Sequence, residues 1–275
     1  MEQKELIHAA ELDELLEVIL HRYGYDFRGY ARGSMLRRIN RFAGEMKSAS
    51  AYDLKYTLLN NDTVFKRFLE EVTVNVTELF RDPVYYKAMR EKVLPVLASY
   101  PLIKIWHAGC SSGEEVFSTC ILLQEAGLLN RTRIYATDIN PANLEKAKKG
   151  ILSLRHMKEY TANYLHSGGK NDFADYYTAM YDHAIIKEEL RSGIVYSQHN
   201  LVSDNVFNEF QLVCCRNVMI YFNKSLQDRV LKLFYDSLSP LGFLALGLKE
   251  TLQFSSISDK FEAVHPAAKI YRRKD

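Results

Sequence analysis

No run of this 275-residue chain reaches the roughly 18 apolar residues that a membrane-spanning helix needs, so no insertion into a bilayer is expected. Neither sign of charge is in excess. Lys and Arg number 36 against 34 Asp and Glu, a formal net charge of +2, and that balance gives no reason to expect a nucleic-acid partner. Cysteine is scarce: Cys110, Cys120, Cys214 and Cys215 are the only four, and no two stand in Cys-x-x-Cys spacing. That spacing is what zinc ribbons and dithiol redox motifs require, so no metal and no disulfide is expected, and a reducing cytoplasm is the expected location. Cys214 and Cys215 are neighbours on a candidate strand, face opposite ways and read as packing residues. The opening MEQKELIHAAELDELL reads as an amphipathic helix rather than a secretory signal.

What is present is more specific. Ile103 to Glu115 reads IKIWHAGCSSGEE: a short buried strand to Ala108, a small-residue turn from Gly109 to Gly113, and a helix starting at Glu114. Strand, glycine turn and helix form the dinucleotide-binding layout, in which the helix N-terminus normally faces a pyrophosphate. Two carboxylates in the first turn suit the helix dipole, yet would repel a phosphate. A cationic nucleoside fits better, and S-adenosylmethionine offers a sulfonium and an ammonium against one carboxylate. Acidic residues at a helix start are also ordinary caps, so this stretch alone does not decide the matter.

Two further strand ends add to it. RIYATD, Arg133 to Asp138, ends in an acidic residue about 25 positions after Gly113, where such a residue accepts from ribose hydroxyls in doubly wound sheets; a simple turn aspartate is the alternative. FQLVCCRNVMIYF, Phe210 to Phe222, carries a buried strand that ends in polar Arg216 and Asn217. Open α/β sheets bind ligands at the carboxyl ends of their strands. Three polar strand ends on one crevice favour a cofactor site. A nicotinamide dehydrogenase would want a Gly-x-Gly-x-x-Gly turn without the glutamates, and a nucleic-acid amino-methyltransferase an Asn/Asp-Pro-Pro-Tyr tetrad where Arg216-Asn217-Val218 stands.

Residues 1–75 read as an all-helical N-terminal domain, with apolar residues at helical spacing in Leu12, Leu15, Leu16, Ile19 and Leu20. Ser34 is a candidate cap for a helix carrying Arg37, Arg38 and Arg41, which with Arg28 and Arg32 make the most basic local patch. A solvated face and a docking surface for an acidic partner both fit it. Residues 76–99 read as a linker and connecting helix. From about 100 to 275 strands alternate with helices, which predicts a mostly parallel sheet, with strands near 103–108, 133–138, 194–198, 211–216, 242–247, 260–264 and 268–272. Residues 151–193 are too long for an ordinary connection and read as an inserted, hairpin-like subdomain. Tyr176, Tyr177, Tyr181, Ile185 and Ile186 would form its small core.

These residues resemble the CheR-type chemotaxis receptor methyltransferases, which esterify glutamate side chains on chemoreceptors. The resemblance covers nearly the whole chain. Asn75 to Asp82 (NVTELFRD) resembles the family's linker motif, Ala108 to Glu115 its Ala-Gly-Cys-Ser-Thr-Gly-Glu-Glu turn, Ala136 to Asn140 its second strand end, and Cys215 to Phe222 its Cys-Arg-Asn strand end. Gln211, Val116, Leu79 and Lys249 depart from the usual residues. The resemblance implies a class I S-adenosylmethionine-dependent methyltransferase: a Rossmann-like α/β domain behind an all-helical domain, with a small inserted β-subdomain. S-adenosylmethionine is the implied cofactor and S-adenosylhomocysteine the product. The cytoplasmic helical domain of a chemoreceptor is the implied partner, and the protein is expected to be a monomer.

Carried over position by position, Asn75, Thr77, Arg81 and Glu115 would meet the methionine end of the cofactor. Asp138 with Ile139 would meet the ribose, and Asn200 with Leu201 the adenine. Gly109, Arg216 and Asn217 would line the crevice. Arg81 and Tyr221 would serve the reaction, Arg81 by orienting the carboxylate and Tyr221 beside the methyl; Arg37, Arg38 and Arg41 would dock the substrate. The insert lacks a clear copy of the pattern associated with binding a receptor's C-terminal pentapeptide, so tethered recruitment is not expected. A non-catalytic CheR-like signalling module and a methyltransferase for another protein target are the alternatives.

Overall fold

The structure is a computed structural model that describes residues 6–275. The chain folds into two compact units, one of residues up to Val74 together with Tyr221–Arg229, the other of Asn75–Ile220 with Val230–Asp275.

The first unit is helical: α1 (Ala9–Tyr23), α2 (Arg32–Glu45), α3 (Ala51–Asn60) and α4 (Asp62–Val72). Leu12, Leu15, Leu16 and Ile19 recur at helical spacing and are buried, as are Val64, Phe65, Phe68, Leu69 and Val72 on α4. Gly24 ends α1 in the left-handed conformation and donates its N–H to the Leu20 carbonyl. The Asn61 side chain accepts the Thr63 and Val64 N–H groups and opens α4. Ser34 is not a cap: α2 begins two residues earlier, with Ala31 at the N-cap, and the Ala31 N–H donates to the Tyr221 carbonyl at 2.8 Å.

Arg38 also departs from expectation. The basic patch groups it with Arg37 and Arg41 as a docking residue, but it lies on the same face as Met35, Ile39 and Phe42 and is buried. Its Nη1 donates to the Val72 carbonyl at 2.7 Å, and its guanidinium lies 4.4 Å from the centre of the Tyr221 ring. It therefore serves the interior of this unit. Arg37 and Arg41 are exposed, and Arg41 pairs with Glu71.

The second unit carries the helices α5 (Pro83–Ala88), α6 (Leu94–Leu97) and α8 (Pro141–Lys149) around a seven-stranded sheet. The strands are β1 (Ile103–Ala108), β2 (Thr132–Asp138), β6 (Ile194–Gln198), β7 (Phe210–Cys215), β8 (Leu238–Leu246), β9 (Phe261–His265) and β10 (Ile270–Arg273), in the order β6-β2-β1-β7-β8-β10-β9. β6, β2, β1, β7 and β8 run parallel, and β10 and β9 continue antiparallel. The strand order reverses at β1, which pairs with β2 on one side and β7 on the other. That is where open α/β sheets form a ligand crevice. Helix α7 (Glu114–Glu125) packs Val116, Phe117, Cys120 and Ile121 on one sheet face with Ile103, Ile105, Ile134, Leu212 and Cys214. Trp106 points the other way into Phe207, Phe210, Phe234 and His199, its indole N–H donating to Thr137 Oγ1 at 2.8 Å. Cys214 belongs to the α7-side core, and all four cysteines are buried and free.

Residues 151–193 hold a three-stranded antiparallel sheet of order β3-β5-β4, with β3 (Ile151–Ser153), β4 (Tyr177–Met180) and β5 (His183–Ile186). Two short helices flank it, α9 (Met157–His166) and α10 (Glu188–Arg191). Its tyrosines do not make a separate core. Tyr164 and Tyr176 join the core under α7, where Glu125 at the end of α7 accepts both hydroxyls. Tyr181 is 97% exposed at the β4–β5 turn. Among the described residues no helix is long and apolar enough to cross a membrane.

Candidate cofactor site

The carboxyl ends of β1, β2 and β7 carry the polar groups. After β1 the chain turns through Gly109, whose φ of 78° favours glycine and where a Cβ would lie 2.5 Å from Val218 Cγ2. It then enters α7 through Gly113 at the N-cap. A side chain at Gly109 would be both strained and obstructed, so the turn sits tight on the end of β7.

The second residue of α7, Glu115, is the electrostatic centre. Its Oε1 lies 3.0 Å from His107 Nδ1 and its Oε2 accepts from Arg216 Nη1 at 2.9 Å. Burial pushes the Glu115 carboxyl up, but Arg216 and His107 outweigh it and hold the group below the usual carboxylate value. Arg216 also donates from Nη2 to Asp82 Oδ2 at 2.8 Å and to the Arg81 carbonyl at 3.1 Å, with its guanidinium 4.0 Å from the Tyr85 ring centre. Its side chain is wholly buried. The expectation that it lines the crevice is thereby corrected: the side chain is enclosed by two carboxylates and a tyrosine, and acts through Glu115 and Asp82. His107, Glu115 and Cys214 bring metal-type donor atoms together within 4.8 Å, and Arg216 supplies positive charge to the same carboxylate.

At the end of β2, Asp138 is buried. Its Oδ2 accepts the Ser111 N–H at 2.9 Å, and its Oδ1 accepts the Asn140 N–H at 2.9 Å and Asn143 Nδ2 at 3.1 Å. Burial raises its pKa while these donors work against the rise. Asn143 also donates to Asn75 Oδ1 at 2.7 Å, which ties the linker to β2. Ser111 Oγ and Asn143 Oδ1, on two residues that donate to Asp138, are buried without a hydrogen-bond partner, and a polar ligand there would relieve them.

The other expected residues fall as follows. Thr77 is half-buried, and Arg81 is half-buried with Nη1 donating to the Val76 carbonyl at 3.2 Å. Phe80 and Asp82, on either side of Arg81, both hold left-handed backbone, φ 54° and 59°. Such strain in non-glycine residues gathers at functional sites. Ile139 offers its carbonyl to Gln198 Nε2 at 3.0 Å. Asn200 follows β6 and accepts the Val202 N–H at 3.0 Å with its side-chain oxygen, and Leu201 is buried. Asn217, at φ 61°, has its N–H on Glu250 Oε2 at 3.1 Å. Tyr221 belongs to the helical unit, under Arg38.

The comparisons with known proteins decide the family. Residues 75–270 match "CheR methyltransferase, SAM binding domain", and residues 10–73 match "CheR methyltransferase, all-alpha domain". The chain belongs to the CheR methyltransferase family. It is 48% identical over 263 residues to the protein Cher3 of Pseudomonas putida, covering 96% of each chain. It is 29% identical over 237 residues to the chemotaxis protein methyltransferase of Listeria monocytogenes, covering 86% of this chain and 87% of that one. With the chemotaxis protein methyltransferase of Salmonella typhimurium the identity is 28% over 268 residues, covering 95% of this chain and 90% of that one. The fold is thus the Rossmann-like methyltransferase fold behind an all-helical domain, and the cofactor is S-adenosylmethionine. The carboxylates of Glu115 and Asp138 fit it, since a sulfonium and an ammonium both favour a buried anion.

Three further groups, to which the CheR motifs assign no role, support the site. Glu250 accepts the Gly247, Asn217, Val218 and Met219 N–H groups at 2.6 to 3.1 Å, and so holds the turn after β7. Asp82, inside the linker motif, is the second partner of Arg216. His107 is the third. A polar residue one position from the end of an otherwise buried strand, directly before a glycine turn, was the available signal.

Proposed function

We propose that the protein transfers the methyl group of S-adenosylmethionine to glutamate side chains on the cytoplasmic helical region of a chemoreceptor, and that it does so in the cytoplasm as a monomer. The names of its relatives support chemotaxis, and Arg81 supports a carboxylate acceptor. Arg81 stands between two left-handed residues with one N–H directed to Val76 and a fork of further donors, the group best suited to orient an anionic side chain. Asn75, Thr77 and Glu115 hold the methionine end of the cofactor, Asp138 and Ile139 the ribose, Asn200 and Leu201 the adenine, and Gly109 and Asn217 the crevice floor. When bound, S-adenosylmethionine supplies an electrophilic methyl group on sulfur. A glutamate with a reference pKa of about 4.3 is already ionised at neutral pH, so the chain's task is alignment and exclusion of water rather than proton removal. Alignment of reactants contributes roughly 7–11 kcal/mol in favourable intramolecular cases. Tyr221 is assigned beside the methyl, and the exposed Arg37 and Arg41 are assigned to the docking of the acidic receptor.

Methyl label from the tritiated cofactor should pass to cytoplasmic receptor fragments and be released as methanol by alkali, the mark of an ester. Alkali-stable label would place the methyl on another side chain and contradict the proposal. Arg81→Ala should lower the single-turnover rate by roughly a hundredfold, the order seen when one positioned donor is removed; a change confined to cofactor affinity would remove Arg81 from the orienting role.

A further inference from the structure

We infer that His107 is a positioning residue for methyl transfer: its Nδ1–H fixes the Glu115 carboxylate that receives the ammonium end of the cofactor. The inference rests on the reading of Glu115 given above. His107 is 1% exposed and sits one residue before the end of β1, in register with Ala136 of β2 and Cys214 of β7. Arg216 beside Glu115 holds its carboxyl below the usual carboxylate range, and an ionised carboxylate only accepts hydrogen bonds. The proton of the 3.0 Å contact therefore lies on Nδ1, which fixes the tautomer.

Arg216 donates to the other oxygen. Glu115 thus receives one donor on each oxygen, one from the end of β1 and one from the end of β7. Two donors from separate strands set both the position and the tilt of the carboxylate. One alone leaves it free to swing about the Arg216 contact, and Arg216 is itself shared with Asp82. Packing does not call for a histidine here, because an aliphatic side chain would fill the space without leaving Nε2 buried and unpaired. The imidazole makes sense as a donor aimed at one oxygen, the role that outer-shell partners play in orienting the groups that touch a ligand.

The test titrates S-adenosylhomocysteine and 5′-methylthioadenosine, which lacks the amino-acid end, into wild type, His107→Leu, His107→Asn and Glu115→Gln. His107→Leu should weaken S-adenosylhomocysteine by about ten- to a hundredfold, the range for a hydrogen bond to a charged group, and leave 5′-methylthioadenosine unchanged. His107→Asn, whose amide N–H can stand near the Nδ1 position, should recover most of the loss. Combining His107→Leu with Glu115→Gln should add little to Glu115→Gln alone. Equal weakening of both ligands in His107→Leu, with no recovery in His107→Asn, would mean a structural role only and overturn the inference. So would unchanged S-adenosylhomocysteine affinity in His107→Leu while Glu115→Gln loses it. If Glu115→Gln itself binds S-adenosylhomocysteine as wild type does, the reading of Glu115 fails, separately from that of His107.

Discussion

Arg216→Met is expected to destabilise the methyltransferase domain by about 3–5 kcal/mol, the usual result of removing one partner from a buried ion pair. The Arg216 side chain is fully buried, with Glu115 on Nη1, Asp82 and the Arg81 carbonyl on Nη2, and the Tyr85 ring against its face. Methionine fills the space and leaves two carboxylates without their cation. At roughly 2–4 °C per kcal/mol for a domain of this size, the melting temperature should fall by about 10 °C. Arg216→Lys should lie between, because an ammonium is a point charge and cannot reach both carboxylates with a planar fork. The pH dependence has a definite sign. Glu115 is held below the usual carboxylate value, so its contribution to stability is fully present above about pH 4.5 and is lost as the pH falls through the folded-state value. Thermal and urea unfolding at pH 7 and at acid pH measure both effects. A melting temperature within about 2 °C of wild type at neutral pH would show that the ion triad does not hold this corner of the fold.

Glu250→Ala is expected to be about as severe, by a different route. Four backbone N–H groups converge on this one carboxylate. A buried donor left without a partner costs about 1–3 kcal/mol. Even if water reaches half of them, a loss of several kcal/mol follows. The loss should be coupled to function, because the same carboxylate holds Asn217 in its left-handed conformation at the end of β7. Gly247 belongs to the device: a Cβ there would lie 2.7 Å from Asn217 N and from Glu250 Oε2. Glu250→Gln keeps one acceptor oxygen and turns the other end into a donor facing N–H groups, so it should recover little. Thermal unfolding and S-adenosylhomocysteine affinity should fall together in both variants. Wild-type affinity with reduced stability would separate the turn from the cofactor site.

The centre of the sheet was legible in the sequence because β1 and β7 are buried on both faces. Phe210–Cys215 is a continuous apolar run with glutamine its one polar member, and such runs have few alternatives once glycine and charged turns bound them. The start of α7 was legible from the glycine turn before it; α2 has no capping side chain and carries no such mark. Ala31 has no side-chain acceptor, and Ser34, three residues further on, is the first residue that offers one. Arg38 was misplaced because charge predicts exposure, whereas its long stem lies among apolar neighbours and its head finds the Val72 carbonyl and the Tyr221 ring. The same limit applied to Arg216, whose burial depends on carboxylates 101 and 134 positions away in the chain. Local pattern names the residues of the crevice; which of them face a ligand and which support another side chain is settled by partners distant in sequence. The insert shows this as well, since Glu125 of α7 draws Tyr164 and Tyr176 out of any core of their own.

Calorimetric titration of S-adenosylhomocysteine into wild type, Asp138→Ala and Glu115→Gln tests the central claim most directly, that the crevice at the ends of β1 and β2 seats the cofactor. Micromolar binding by wild type that falls at least tenfold in each folded variant is the result expected. Wild-type affinity in both variants would place the cofactor elsewhere and contradict the account.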